Sequence, residues 1–68
     1  MTLGEAIKAT RERSRGTQAA LAASAGVAVV TIQKVESGAR APSLSVLRRI
    51  AKALGVRVSE LFVMTEGG

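Results

Sequence analysis

The chain has 68 residues, enough for one small domain. Ten Lys and Arg against five Asp and Glu leave a net charge of +5 and a pI near 11.3. That excess points to a polyanionic partner, nucleic acid before membrane surface, with plain solubility as the bland alternative. With no Cys and no His, disulfides, Cys/His zinc sites and thiol or imidazole catalysis are excluded.

Apolar residues make up 47% of the chain and Phe62 is the single aromatic, so the core must be built from Ala, Val, Leu and Ile. No apolar run approaches the ~20 residues that span a bilayer. The opening Met1-Thr2-Leu3-Gly4-Glu5 has no basic stretch followed by an apolar one, so no signal peptide and no membrane partner are expected. A cytoplasmic location is the expectation.

The spacing predicts an all-α fold of five short helices, with a single domain over 1–64 and a frayed tail over 65–68. Gly16, Gly26, Gly38 and Gly55 are candidate left-handed positions after successive helices. The first helix, about 3–13, has Leu3, Ile7 and Thr10 inward and Glu5, Lys8, Glu12, Arg13 and Arg15 outward. Thr17 can cap the second, whose inward residues are Leu21, Ala22 and Ala25. The third, about 28–36, turns Ile32 and Val35 inward. Pro42 breaks the next loop and Ser43 is a good cap for the fourth helix, 44–54. Leu44, Leu47, Ile50, Ala51 and Leu54 form its apolar stripe. A last helix near 58–63 offers Leu61 and Phe62 to the core.

The second and third helices are separated only by Ala25-Gly26-Val27, and small residues (Ala19, Ala22, Ala23, Ala25, Ala28) allow a close, steep crossing. A short helix pair joined by a glycine-bearing turn has helix-turn-helix geometry, although any tight helical hairpin shares these features. In that geometry the second helix enters the major groove.

From Thr17 to Phe62 the order of residues resembles the lambda-repressor/Cro-like helix-turn-helix domain of the Xre family of bacterial and phage regulators. The matching elements are Thr17-Gln18, Leu21-Ala22, Gly26-Val27, Thr31-Ile32, Glu36 with Gly38, Pro42-Ser43, Ile50-Ala51, Leu54-Gly55-Val56 and Glu60-Leu61-Phe62, with Arg11 upstream. The resemblance implies a regulator that binds double-stranded DNA as a homodimer on an inverted repeat, without a cofactor, metal or catalytic residue. A chain of this length is expected to act by occupying its operator, as a repressor or controller.

The resemblance also assigns roles. Arg11 and Glu36 would form a structural ion pair between the first and third helices. Gln18 would sit against a phosphate and brace the recognition helix, about 28–36. Base-reading falls to Ala28, Val29, Val30, Gln33 and Lys34. Positions 29 and 33, and 30 and 34, form adjoining outward strips. Gln33 suits an adenine edge, Lys34 a guanine or phosphate, and the valines thymine methyl groups. Thr17, Gln18, Ser37, Arg40, Ser43 and Arg15 are the candidate phosphate contacts. Arg48, Arg49 and Lys52 are expected on the solvent side of the fourth helix. Val58, Leu61, Phe62, Val63 and Met64, with Val56, are the candidate dimer surface, because a core this small cannot hide them all.

Departures from the family pattern are Gly16 and Ser14 where large apolar residues are usual, Ala28 in place of a Ser or Thr cap, and Arg57 where a small capping residue is common. The competing reading is a protein-interaction module, or an antitoxin-like partner, that uses Val29 and Val30 to bind a protein. An enzyme is discounted. The chain has only Glu as carboxylate, no glycine-rich phosphate loop after a strand, and too small a core for a substrate pocket.

Overall fold

Five helices follow one another in the computed structural model: α1 Leu3–Arg13, α2 Gln18–Ala25, α3 Val29–Ser37, α4 Leu44–Leu54 and α5 Val58–Glu66. The structure describes residues 1–66, with no strand among them. Among the described residues no single helix is long and apolar enough to cross a membrane.

The starts of the helices follow from local hydrogen bonding. Thr2 and Glu5 open α1 with a reciprocal box: the Thr2 hydroxyl accepts from the Glu5 amide at 3.1 Å, and the Glu5 carboxylate accepts from the Thr2 amide at 2.7 Å. The Thr17 hydroxyl caps α2 by accepting from the Ala20 amide, and the Ser43 hydroxyl caps α4 by accepting from Val46. Before α5 only half a box forms. Glu60 accepts from the Arg57 amide at 3.2 Å, but an arginine side chain has no acceptor to return. α3 is bare at its start, because Ala28 provides no side-chain cap bond.

At the other ends, Gly26, Gly38 and Gly55 take φ of +71°, +82° and +73°. Gly26 is the turn between α2 and α3, and any Cβ there would strain the backbone. Gly16 departs from the expectation. Arg15 takes the left-handed conformation instead, at φ +59°. The Gly16 amide donates back to the Arg11 carbonyl at 3.1 Å, which makes Arg15 the reversing residue of the turn.

The core joins Ala6 and Ile7 of α1, Leu21, Ala22 and Ala25 of α2, Ile32 and Val35 of α3, Leu47, Ile50 and Ala51 of α4, and Leu61 of α5. Helix α2 packs against both α3 and α4, while α1 packs against α3 and α5. The expected inward faces of α1, α2 and α3 are therefore found, although Leu3 is only half-buried. Two expectations for the core fail. Leu44 is 58% exposed, because it is the first residue of α4 and overhangs the packed turn. Phe62 is 45% exposed, because Leu61 takes the inward position and the next residue lies about 100° further around the helix. The tail expectation also changes at Thr65 and Glu66. Both continue α5, and the Thr65 hydroxyl donates to the Phe62 carbonyl. The expected tail residues Gly67 and Gly68 lie outside the described residues.

Sequence reasoning missed the crossing of α1 and α3. Gly4 is buried in the first turn of α1. A Cβ there would collide with the Val35 carbonyl oxygen and come within 2.8 Å of the Glu36 carbonyl oxygen. The two backbones touch where only a glycine fits.

Candidate nucleic-acid interface

Helices α2 and α3 turn through 114° across residues 26–28. That lies within the range for a helix-turn-helix pair. Ile32 and Val35 anchor the inner face of α3 and are essentially unexposed.

Glu36, in the last turn of α3, is locked from two sides. The Arg11 guanidinium from α1 donates to both carboxylate oxygens, Nε to Oε2 at 2.7 Å and Nη2 to Oε1 at 2.9 Å. The Gln18 amide from α2 donates to Oε1 at 3.0 Å. A further Arg11 nitrogen donates to the Gly16 carbonyl at 2.9 Å. The Arg11 and Glu36 side chains are only 11% and 3% exposed, so the pair sits largely away from water. Burial pushes the Glu36 carboxyl up, but the hydrogen bonds from Arg11 and Gln18 and the nearby positive charges outweigh it. Its pKa lies below the ordinary value. The hydrogen bond to Glu36 likewise raises the Arg11 pKa. No buried side-chain nitrogen or oxygen among the described residues lacks a partner. One network therefore ties α1 and α2 to the end of α3.

The outward face of α3 is not covered by the other described residues. Val29 and Val30 are 41% and 48% exposed, and Ala28, Gln33 and Lys34 are exposed beside them. Val27, in the turn before α3, is instead packed against the core. Neither of the two adjacent valines is a core residue.

The structure treats the candidate phosphate contacts unequally. The hydroxyls of Thr17 and Ser43 are acceptors in helix caps, with their residues still exposed. Ser37 is also engaged locally, donating to the Lys34 carbonyl and accepting from the Ala39 amide. Arg40 is exposed, and its amide donates to the Lys34 carbonyl at 3.2 Å, which folds the loop against the end of α3. Lys34, Ser37 and Arg40 are thus brought together. Arg15 is exposed at the turn before α2 and makes no side-chain hydrogen bond to that group. Gln18 is half-buried and spends its amide donor on Glu36.

On α5 the candidate dimer residues divide. Leu61 is fully buried in the core and is removed from that surface. Phe62 and Val63 are exposed, at 45% and 63%, while Val56, Val58 and Met64 are half-buried against the core. Gly4, and Glu36 as the group through which Gln18 braces α3, were the supports that the sequence did not reveal. The available signal for Gly4 was a glycine inside a helix, which usually has a packing reason.

The sequence profile of the Helix-turn-helix family matches residues 7–61. An immunity repressor protein of Bacillus phage phi105 is 39% identical over 61 residues. The match covers 90% of this chain but only 42% of that relative. Among solved structures, the restriction-modification controller protein C.AhdI from Aeromonas hydrophila superposes with a TM-score of 0.86 at 30% identity, covering 88% of this chain and 91% of that one. The c2 repressor of P22, solved in complex with a synthetic operator, superposes with a TM-score of 0.84 at 33% identity, covering 90% and 92% of the two chains.

Proposed function

We propose a mode of action from one premise: the chain belongs to the helix-turn-helix family, the lambda-repressor/Cro-like group of DNA-binding transcriptional regulators. It acts by placing α3 in the major groove of duplex DNA. The observation that carries this is the contrast on α3 itself. Its inner face and last turn are fixed by core packing and the Arg11–Glu36–Gln18 network, while positions 28, 29, 30, 33 and 34 remain exposed. Base-reading by Ala28, Val29, Val30, Gln33 and Lys34 follows, with Arg40, Ser37, Ser43, Thr17, Gln18 and Arg15 toward the phosphates. The relatives matched above are regulators by name. Partnership with DNA puts this chain in the cytoplasm, with the nucleoid.

The protein works as a homodimer on an inverted repeat, with half-sites about one helical turn apart. Phe62 and Val63, flanked by Val58 and Met64, form the surface for the second copy. Occupancy of the operator is the regulatory act.

Enrichment from a random pool of duplex DNA at near-physiological salt tests this reading. An inverted repeat is the expected product, and its spacing gives the dimer geometry. Gln33→Ala and Lys34→Ala are each expected to weaken specific binding and relax preference at one or two base pairs. Arg40→Ala is expected to weaken binding to every sequence and reduce the salt slope by about 1. Recovery of no sequence, with binding only at low salt, would overturn the reading and turn attention to a protein partner for Val29 and Val30.

A further inference from the structure

The start of α3 is chemically unusual for a surface that reads bases. Positions 28, 29 and 30 offer Ala, Val and Val, and their side chains carry no hydrogen-bond donor or acceptor. The two valines are nevertheless exposed. The polar readers Gln33 and Lys34 begin one turn later. At the tip, discrimination therefore has to come from apolar contact.

On the major-groove wall a base pair offers apolar contact through the pyrimidine C5 position. Thymine carries a methyl group there. Cytosine carries hydrogen at C5, and 5-methylcytosine carries the same methyl group as thymine. Consecutive helix residues point about 100° apart, so Val29 and Val30 face different parts of the groove wall, which suits a separate methyl group for each.

We propose that Val29 and Val30 make this protein a reader of pyrimidine C5-methyl groups, one on each of two adjacent base pairs, and that it scores 5-methylcytosine above cytosine there. Its occupancy of an operator with cytosine at those positions then depends on cytosine C5 methylation. This rests on the proposal that α3 enters the major groove. The alternative occupant, an apolar protein surface, is disfavoured by the setting. The valines are a patch of only two residues, bordered along their own strips by Gln33 and Lys34. The larger exposed apolar pair, Phe62 and Val63, is on another helix.

The test uses the duplex recovered by enrichment from the random pool, with single thymines replaced by uracil in turn. Uracil keeps every hydrogen-bonding group and deletes only the methyl. Burying one such group is worth about a fourfold change in binding. Two adjacent base pairs in each half-site are expected to show that loss, and the rest none. At those pairs, 5-methylcytosine opposite guanine is expected to bind about fourfold better than cytosine opposite guanine. Val29→Ala and Val30→Ala should each abolish the methyl preference at one of the two pairs while leaving the other. Because both side chains are exposed, these variants should fold. Equal binding of thymine and uracil duplexes at every position would overturn the inference and leave major-groove binding standing. If no duplex is enriched at all, the docking proposal fails and this one falls with it.

Discussion

The two ends of α3 are built on opposite principles. Its C-terminal end carries a buried carboxylate held by side chains from α1 and α2, a left-handed glycine, and a backbone contact with Gly4. Its N-terminal end has no side-chain cap and presents two exposed valines. One end is fixed to the scaffold by directional bonds, and the other is left free of the chain's own partners. A helix that must be aimed at an external surface needs this asymmetry. Bonds at both ends would occupy the reading groups, and bonds at neither would leave the aim undefined.

The strongest way to break that contrast is to unlock the fixed end. Glu36→Ala or Arg11→Ala strands a buried charge, and each is expected to destabilise the fold by about 3 kcal/mol or more. In a domain this small, that removes a large share of the total. Thermal melts followed by circular dichroism would read it. The double replacement Arg11→Met with Glu36→Leu should recover much of the loss, since apolar residues of similar volume often substitute for a buried pair. The same network sets an acid dependence. The folded Glu36 pKa is below its ordinary 4.5, so its stabilising contribution is fully present above that value and is lost as pH falls through the lower folded one. Glu36→Gln should therefore flatten the acid limb of the stability curve, and an unchanged limb would deny the carboxylate this role.

Next in size is Gly4→Ala. Alanine is the better helix former by about 1 kcal/mol, yet here its Cβ would press on the carbonyls of Val35 and Glu36. Separating the helices to admit it should cost about 1–3 kcal/mol net. A denaturant midpoint at or above that of the parent chain would show that the crossing has room for a methyl group.

The smallest expected effect sharpens the free end. Ala28→Ser supplies the missing cap and should stabilise the fold by about 1 kcal/mol. If the bare start of α3 serves recognition, affinity for the enriched duplex should not rise with stability.

Much of this was legible in the sequence. The glycines at 26, 38 and 55, the caps at Thr17 and Ser43, and the apolar spacing around Ile7, Leu21, Ile32 and Ile50 are local signals, and they set the helices. Leu44 misled because periodicity gives the direction of a side chain, not whether a neighbour reaches it, and Phe62 because two adjacent apolar residues on a short helix cannot both face inward. The reversal at Arg15 depends on which amide closes the turn, so Gly16 looked the better candidate. Gly4 carried only the weak signal of a glycine inside a helix, because its meaning lies in a backbone more than thirty positions away. The Arg11–Glu36 pair came only through the family resemblance, since two charges 25 residues apart announce nothing by themselves.

Phe62 has a spectroscopic consequence. It is the only aromatic residue, and nearly half of its surface faces outward. With no Trp or Tyr present, the near-ultraviolet signal comes from that one ring. It will report little about the interior during unfolding. It will report what covers α5, so a change in this band on dilution is an intrinsic, label-free meter of whether a second copy is seated there.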